Sequence, residues 1–201
     1  MKKRVAILIS GRGSNMAALI EAAKDPAYPA EIVLVLSNIA DAGGLARARE
    51  AAIATAVVEH KPFGKDREAF DRAVHAVLQQ HRVEIVCLAG FLRLLTPWFV
   101  AQWSGRLINI HPSLLPAFKG LDTHARALAA GATQHGATVH FVVPELDSGP
   151  VIAQESVPVL PGDTEAALAA RVLAVEHRIY PLALRRVADT LKQAEGRLSR
   201  P

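Results

Sequence analysis

Asn109 and His111 stand two residues apart in the run from Leu107 to Gly120, LINIHPSLLPAFKG. In an extended chain, residues i and i+2 share a face, so the two side chains project side by side. Pro112 disfavours the helical region for His111 and holds it extended. An amide donor and a titratable imidazole, aimed together from a strand end, can stabilise a developing oxyanion. Asp147, in PELDSGP, is the candidate third partner, because an opposing carboxylate helps keep an imidazole protonated. Taken singly, these residues have plainer readings. A His beside an apolar strand is more often structural, and Asp147 before Ser148-Gly149-Pro150 can simply make a turn. The eight histidines show no ligand spacing such as His-Glu-x-x-His, so no metal is expected.

A second feature is the loop Ser10-Gly11-Arg12-Gly13-Ser14-Asn15, which follows the first apolar run and opens an amphipathic segment. Backbone N–H groups and the helix dipole there both favour an anion. The dinucleotide fingerprint fails: Met16 stands where it wants glycine, and Ser37-Asn38 where it wants an acid. The Gly-Lys-Ser/Thr of a Walker loop is absent. A monophosphate site using Gly13, Ser14 and Asn15 remains, beside the plainer alternative of a tight turn whose Ser14 or Asn15 caps the helix.

The elements that must position these residues follow from periodicity. Strands are expected at Val5–Ile9, Ile32–Leu36, Thr55–Val58, Ile85–Ala89, Leu107–Ile110, Thr138–Val142 and Ile152–Val157. Helices are expected at about Asn15–Ala23, Leu45–Ala52, Asp66–His81 (Asp66 as N-cap) and Thr123–Ala130. Two more helices are expected in the tail, the first capped by Asp163 and ended by Pro181, which suits the first turn of the second. Strand–helix alternation implies an α/β fold: a mostly parallel central sheet of about seven strands with helices on both faces. Asn109 and His111 then sit at a strand's C-terminal end, where open α/β sheets bind ligands.

With 201 residues, 51% apolar and 21% charged, one globular domain over 1–201 is expected. The net charge is +4. Eight basic residues (Lys2, Lys3, Arg4, Arg185, Arg186, Lys192, Arg197, Arg200) lie near the termini, where solvated charge is the plain expectation. Aromatic content of 5% argues against a nucleic-acid partner; an anionic substrate fits the charge equally well. Cys87, the single cysteine, sits in the apolar run EIVCLAG as an inert buried thiol. The run Val5–Ile9 is too short for a signal-peptide core and nothing reaches the length of a membrane span, so a cytoplasmic protein without membrane contact is expected, monomeric or homodimeric.

Four segments carry a resemblance: VAILISGRGSN, LINIHPSLLPAFKGLDTH, HFVVPELDSGPVIAQ and AVEHRIYP. Together they resemble the phosphoribosylglycinamide formyltransferases, over about residues 4 to 188. The Asn-x-His-Pro-Ser-Leu-Leu-Pro block and the later Asp are shared more widely among folate formyl hydrolases and transferases. The resemblance implies a Rossmann-like formyltransferase fold and transfer of the formyl group of 10-formyltetrahydrofolate, as co-substrate, to the amino group of glycinamide ribonucleotide. Asn109 and protonated His111 would stabilise the tetrahedral oxyanion, with Asp147 maintaining that protonation and assisting proton transfer. Gly13, Ser14 and Asn15 match the family's phosphate contacts, and Glu176 the acid on the ribose hydroxyls; by itself Glu176 reads as a solvated helix charge. Arg67, Leu92, Arg93, Leu94, Leu95 and Asn109 match folate-contacting positions. Val143, Pro144, Glu145, Leu146 and Asp147 match the loop that encloses the pterin. Leu173 stands where relatives often carry a polar side chain near the phosphate, and Asp122 where some carry His or Asn. His124 and His140 are candidate supporting residues, and Leu115-Pro116 matches a bond that is cis in the family. A transfer-RNA formyltransferase would need a further C-terminal domain, and a formyltetrahydrofolate deformylase a regulatory domain before the first strand. The deformylase and a non-catalytic nucleotide-binding module are the alternatives.

Overall fold

The computed structural model describes residues 1–198; Arg200 lies outside the described residues. Seven strands form one sheet in the order β3-β2-β1-β4-β5-β6-β7. They are β1 (Lys3–Ile9), β2 (Ala30–Ser37), β3 (Thr55–Val57), β4 (Ile85–Leu88), β5 (Leu107–His111), β6 (Gln134–Phe141) and β7 (Val151–Pro158). The first five are parallel; β6 alone runs the other way, pairing antiparallel with both β5 and β7. The chain steps outward from β1 to β3, then returns to place β4 on the other side of β1. The strand order reverses between β1 and β4, whose carboxyl ends are the place where open α/β sheets bind ligands. The glycine loop, the segment after β4 and the end of β5 all lie on that edge.

The central strands alternate between two cores, as a two-residue period requires. Val5, Ile7, Ile9, Val35, Ile85 and Cys87 join one apolar cluster with α1 (Ser14–Ala23), α2 (Gly43–Glu50) and α6 (Glu165–Leu198). Ala6, Leu8, Leu34, Leu36, Val86 and Leu88 join the other, with α3 (Arg67–Gln80) and α4 (Pro97–Gln102). Cys87 is fully buried, and burial pushes its thiol well above the ordinary range. Local signals start α3 and α4: Asp66 accepts from Ala69 N–H at 2.9 Å, and Thr96 caps α4 ahead of Pro97. Sequence periodicity placed no element at α4, whose six residues are too short to show a repeat. α5 spans Thr123–Ala129. No described helix is long and apolar enough to cross a membrane.

Three expectations are corrected. The tail is one helix, α6, with Pro181 inside it. A mid-helix proline costs about 3 kcal/mol, but Val175, Ile179, Tyr180, Leu184 and Val187 are all buried in one stripe around it. Each such side chain contributes roughly 1.5–3 kcal/mol, so packing outweighs the local penalty. Tyr28 Oη also donates to the Pro181 carbonyl at 2.7 Å. Asp163 does not cap this helix: its carboxylate takes Leu160 N–H and the Arg171 guanidinium, and Thr164 Oγ1 accepts from Ala167 N–H. Finally, Lys3 is not solvated. It is 4% exposed, held between Glu84 and Glu195.

Candidate active site

β5 delivers Asn109 and His111 to the sheet edge in register with β6, where Asn109 faces His140 and His111 faces Thr138. His111 Nε2 lies 3.0 Å from the Phe118 carbonyl oxygen, and Nδ1 lies 3.5 Å from Asp147 Oδ2. Both oxygens can only accept, so the ring satisfies both contacts when it carries both protons. The two side chains are each 7% exposed, which strengthens their attraction over that of a surface pair. Asp147 adopts φ 48°, a left-handed conformation tolerated by Asp, and Gly120 N–H donates to its Oδ2 at 2.9 Å.

His140 completes the group. Its Nδ1 lies 2.9 Å from the Phe141 carbonyl, its Nε2 3.4 Å from Asn109 Nδ2 and 3.7 Å from Asp147 Oδ1. Burial pushes its pKa down, against the Phe141 carbonyl and Asp147. A neutral ring donating to Phe141 leaves its Nε2 lone pair for one Asn109 amide proton, which fixes how that amide points. The second amide proton stays available to a reacting oxygen. His124 does not join; its Nδ1 meets His135 Nε2 at 3.2 Å.

The glycine loop enters α1 through Gly13 at φ 70°, without a side-chain cap. The capping alternative for Ser14 and Asn15 is therefore not what forms. A side chain at Gly13 would be strained, and its Cβ would sit 3.2 Å from Gly44 Cα. The first-turn N–H groups have no intrahelical partner and open beside Asn15, whose Nδ2 donates to Glu176 Oε2 at 2.5 Å. Glu176 is 7% exposed, not a solvated helix charge, and burial raises its pKa while the Asn15 amide opposes the shift. Asn15 Oδ1 is buried with no partner among the described residues. A helix start with free N–H groups, a buried amide oxygen and a buried carboxylate thus share one corner.

The same edge carries the segment after β4. Leu92 N–H donates to Ser10 Oγ at 2.8 Å, tying it to the glycine loop. Arg67, the first residue of α3, donates to the Leu94 carbonyl at 2.7 Å. Leu92 and Leu94 are exposed, Leu95 packs on the second core, and the Arg93 guanidinium lies over Phe70. Val143 is half-buried, and Pro144, Glu145 and Leu146 are exposed on the loop leading to Asp147. The Leu115–Pro116 peptide is cis.

A model of the formyl transferase family matches residues 3–184. The chain belongs to that family. This formyl transferase is 55% identical to phosphoribosylglycinamide formyltransferase from Brucella melitensis, whose crystal structure superposes with a TM-score of 0.89 over 94% of this chain and 96% of that one. It is 49% identical to the phosphoribosylglycinamide formyltransferase of Escherichia coli, over 92% of this chain and 87% of that protein. It is also 51% identical to the human trifunctional purine biosynthetic protein adenosine-3, covering 94% of this chain and 18% of that much longer protein.

Sequence reasoning misses two backbone groups of this cluster, Phe118 C=O and Gly120 N–H, because main-chain groups carry no residue signature. Of the two supporting candidates His124 and His140, the antiparallel pairing of β6 with β5 brings His140 opposite Asn109.

Proposed function

We propose that the chain, as a single formyltransferase domain, transfers the formyl group of 10-formyltetrahydrofolate to the amino group of glycinamide ribonucleotide. The observation that carries this reading is the conjunction of two sites on one sheet edge. Asn109, His111 and Asp147 converge at the end of β5, and the phosphate-ready start of α1 lies beside a buried carboxylate, Glu176. A simple hydrolase of formyl-folate has no use for the second site, and a nucleotide-binding module has none for the first.

The substrate amine attacks the formyl carbon, forming a C–N bond and a tetrahedral oxyanion. The Asn109 amide and the doubly protonated His111 ring stabilise that charge at positions fixed before the reaction. As the intermediate collapses, the bond to folate N10 breaks. The proton lost by the attacking nitrogen passes to N10, with the His111–Asp147 pair as the acid–base relay. Gly13, Ser14 and Asn15 hold the phosphate, and Glu176 accepts from the ribose hydroxyls. Arg67 and Leu92–Leu95 line the folate side with Asn109, and Val143–Asp147 closes over the pterin. With Leu173 apolar, backbone N–H groups carry more of the phosphate contact.

The test is an assay of the purified protein with 10-formyltetrahydrofolate and glycinamide ribonucleotide. Formation of the formylated ribonucleotide together with tetrahydrofolate is expected. Formate release independent of the ribonucleotide would replace this reading with the deformylase, and an unconsumed folate would replace it with the binding module.

A further inference from the structure

The loop from Pro112 to Asp122 divides into two halves held in different ways. The first half is fastened from the core. Ser113 Oγ donates to Ala117 O, Thr138 Oγ1 to Ser113 O, Gln154 Nε2 to Leu115 O and Thr123 Oγ1 to Pro112 O. The second half, Phe118 to Leu121, makes no backbone–backbone hydrogen bond among the described residues. It is also conformationally costly: Phe118 at φ 53° and Asp122 at φ 56° are non-glycine residues in the left-handed region, with Gly120 between them at φ 81°. Yet this half supplies the two main-chain groups that set the acid–base pair, Phe118 C=O on His111 and Gly120 N–H on Asp147.

Within this half Lys119 Nζ donates to Ser148 Oγ at 2.6 Å and the Phe118 ring packs on the first core beside His135, but the carbonyls that flank Gly120 are both held by one side chain. Arg126, on α5, donates through a single nitrogen to the Lys119 carbonyl at 2.6 Å and the Leu121 carbonyl at 3.2 Å. Its guanidinium also lies over the Phe118 ring, 5.7 Å from the centroid. These three contacts bracket Phe118 and Gly120. We infer that Arg126 is a positioning residue: it holds the Phe118–Leu121 stretch, with its left-handed Phe118 and Gly120, so that Phe118 C=O and Gly120 N–H stay on His111 and Asp147. Arg126 touches neither member of the pair and acts only through the backbone between them. A planar guanidinium suits the task, since it can donate in its plane and stack by its face at once. The inference deepens the reading of His111 and Asp147 as the acid–base pair of formyl transfer and rests on it for its kinetic arm.

The experiment compares the parent with Arg126→Ala, Arg126→Gln and Arg126→Lys by steady-state kinetics, thermal melting and NMR of the unliganded protein. The His111 ring N–H resonance is identified by its loss in His111→Gln. In Arg126→Ala, kcat falls by ~10–100-fold, the effect of displacing reacting groups by about an ångström, while both KM values stay within about threefold. The His111 ring N–H, shielded in the parent by Phe118 C=O, broadens through exchange with water. Arg126→Lys recovers part of both signals, and Arg126→Gln, which keeps a neutral donor, falls between Lys and Ala. Parent-like kcat with a parent-like resonance overturns the inference. So does a kcat loss that follows melting temperature across the variants while the resonance stays unchanged, since that marks a merely structural arginine. If the parent itself forms no formylated ribonucleotide, the functional reading fails alone, because the resonance still decides whether Arg126 orders the pair.

Discussion

At the residue scale, His111 sits between two acceptors and Asp147 between one donor and two imidazoles. Removing either member leaves the other buried without its counterpart. His111→Ala and Asp147→Asn should each lower kcat by ~10²–10⁴-fold, the usual loss of an acid–base group, in steady-state assays at saturating folate. Glu176 makes a prediction of different sign. Its folded carboxyl titrates above the ordinary 4.5 because burial disfavours the anion. The folded state therefore binds more protons than the unfolded state just above pH 4.5, and this residue's contribution to stability falls as pH rises through that window. Glu176→Gln should melt higher than the parent near neutral pH and flatten the dependence, in thermal melts across pH, while raising KM for the ribonucleotide. An unchanged melting temperature would remove Glu176 as a source of stored strain.

At the element scale, the β6–β7 connection does more than reverse the chain. Phe141 N–H donates to the Pro150 carbonyl at 2.9 Å, closing the loop that carries Asp147. A Cβ added at Gly149 would lie 1.7 Å from the Phe141 carbonyl oxygen, a contact no side chain can accept. Gly149→Ala must open this connection, and it should cost at least ~2 kcal/mol in urea denaturation and depress kcat with it. The elements also show where local rules are readable. Asp66 caps the helix that follows it, as short-range chemistry dictates, whereas Thr96 caps a helix too short for periodicity to reveal. Pro181 reads locally as a break, and α6 runs through it because the stripe on either side is buried against the sheet.

At the scale of the whole molecule, the histidines set the acid limit. Burial lowers the pKa of His75, His124, His135, His140 and His177, and that of His135 to about 4 with help from the neighbouring His124 and His111. An unfolded histidine takes its proton near 6.5, where these folded ones do not, so the unfolded state binds more protons below that pH. Stability should fall as pH drops from 6.5 toward 4, visible as a declining melting temperature. His135→Gln should reduce the slope in that window. A flat profile over it would mean these rings are solvated.

The sequence by itself determined what neighbouring residues can impose. The two-residue spacing of Asn109 and His111, the extension forced by Pro112, the turn at Gly13 and the strand–helix alternation were all readable there, because backbone preferences and side-chain period act over a few residues. The tertiary structure alone decided which distant groups meet. It placed Asp147 on His111, His140 on Asn109, Glu176 under Asn15 and Lys3 between two carboxylates. Those contacts depend on β4 returning beside β1 and on β6 pairing antiparallel with β5. Strand order is a result of burying both faces of the whole sheet at once, and no local stretch of chain contains that sum.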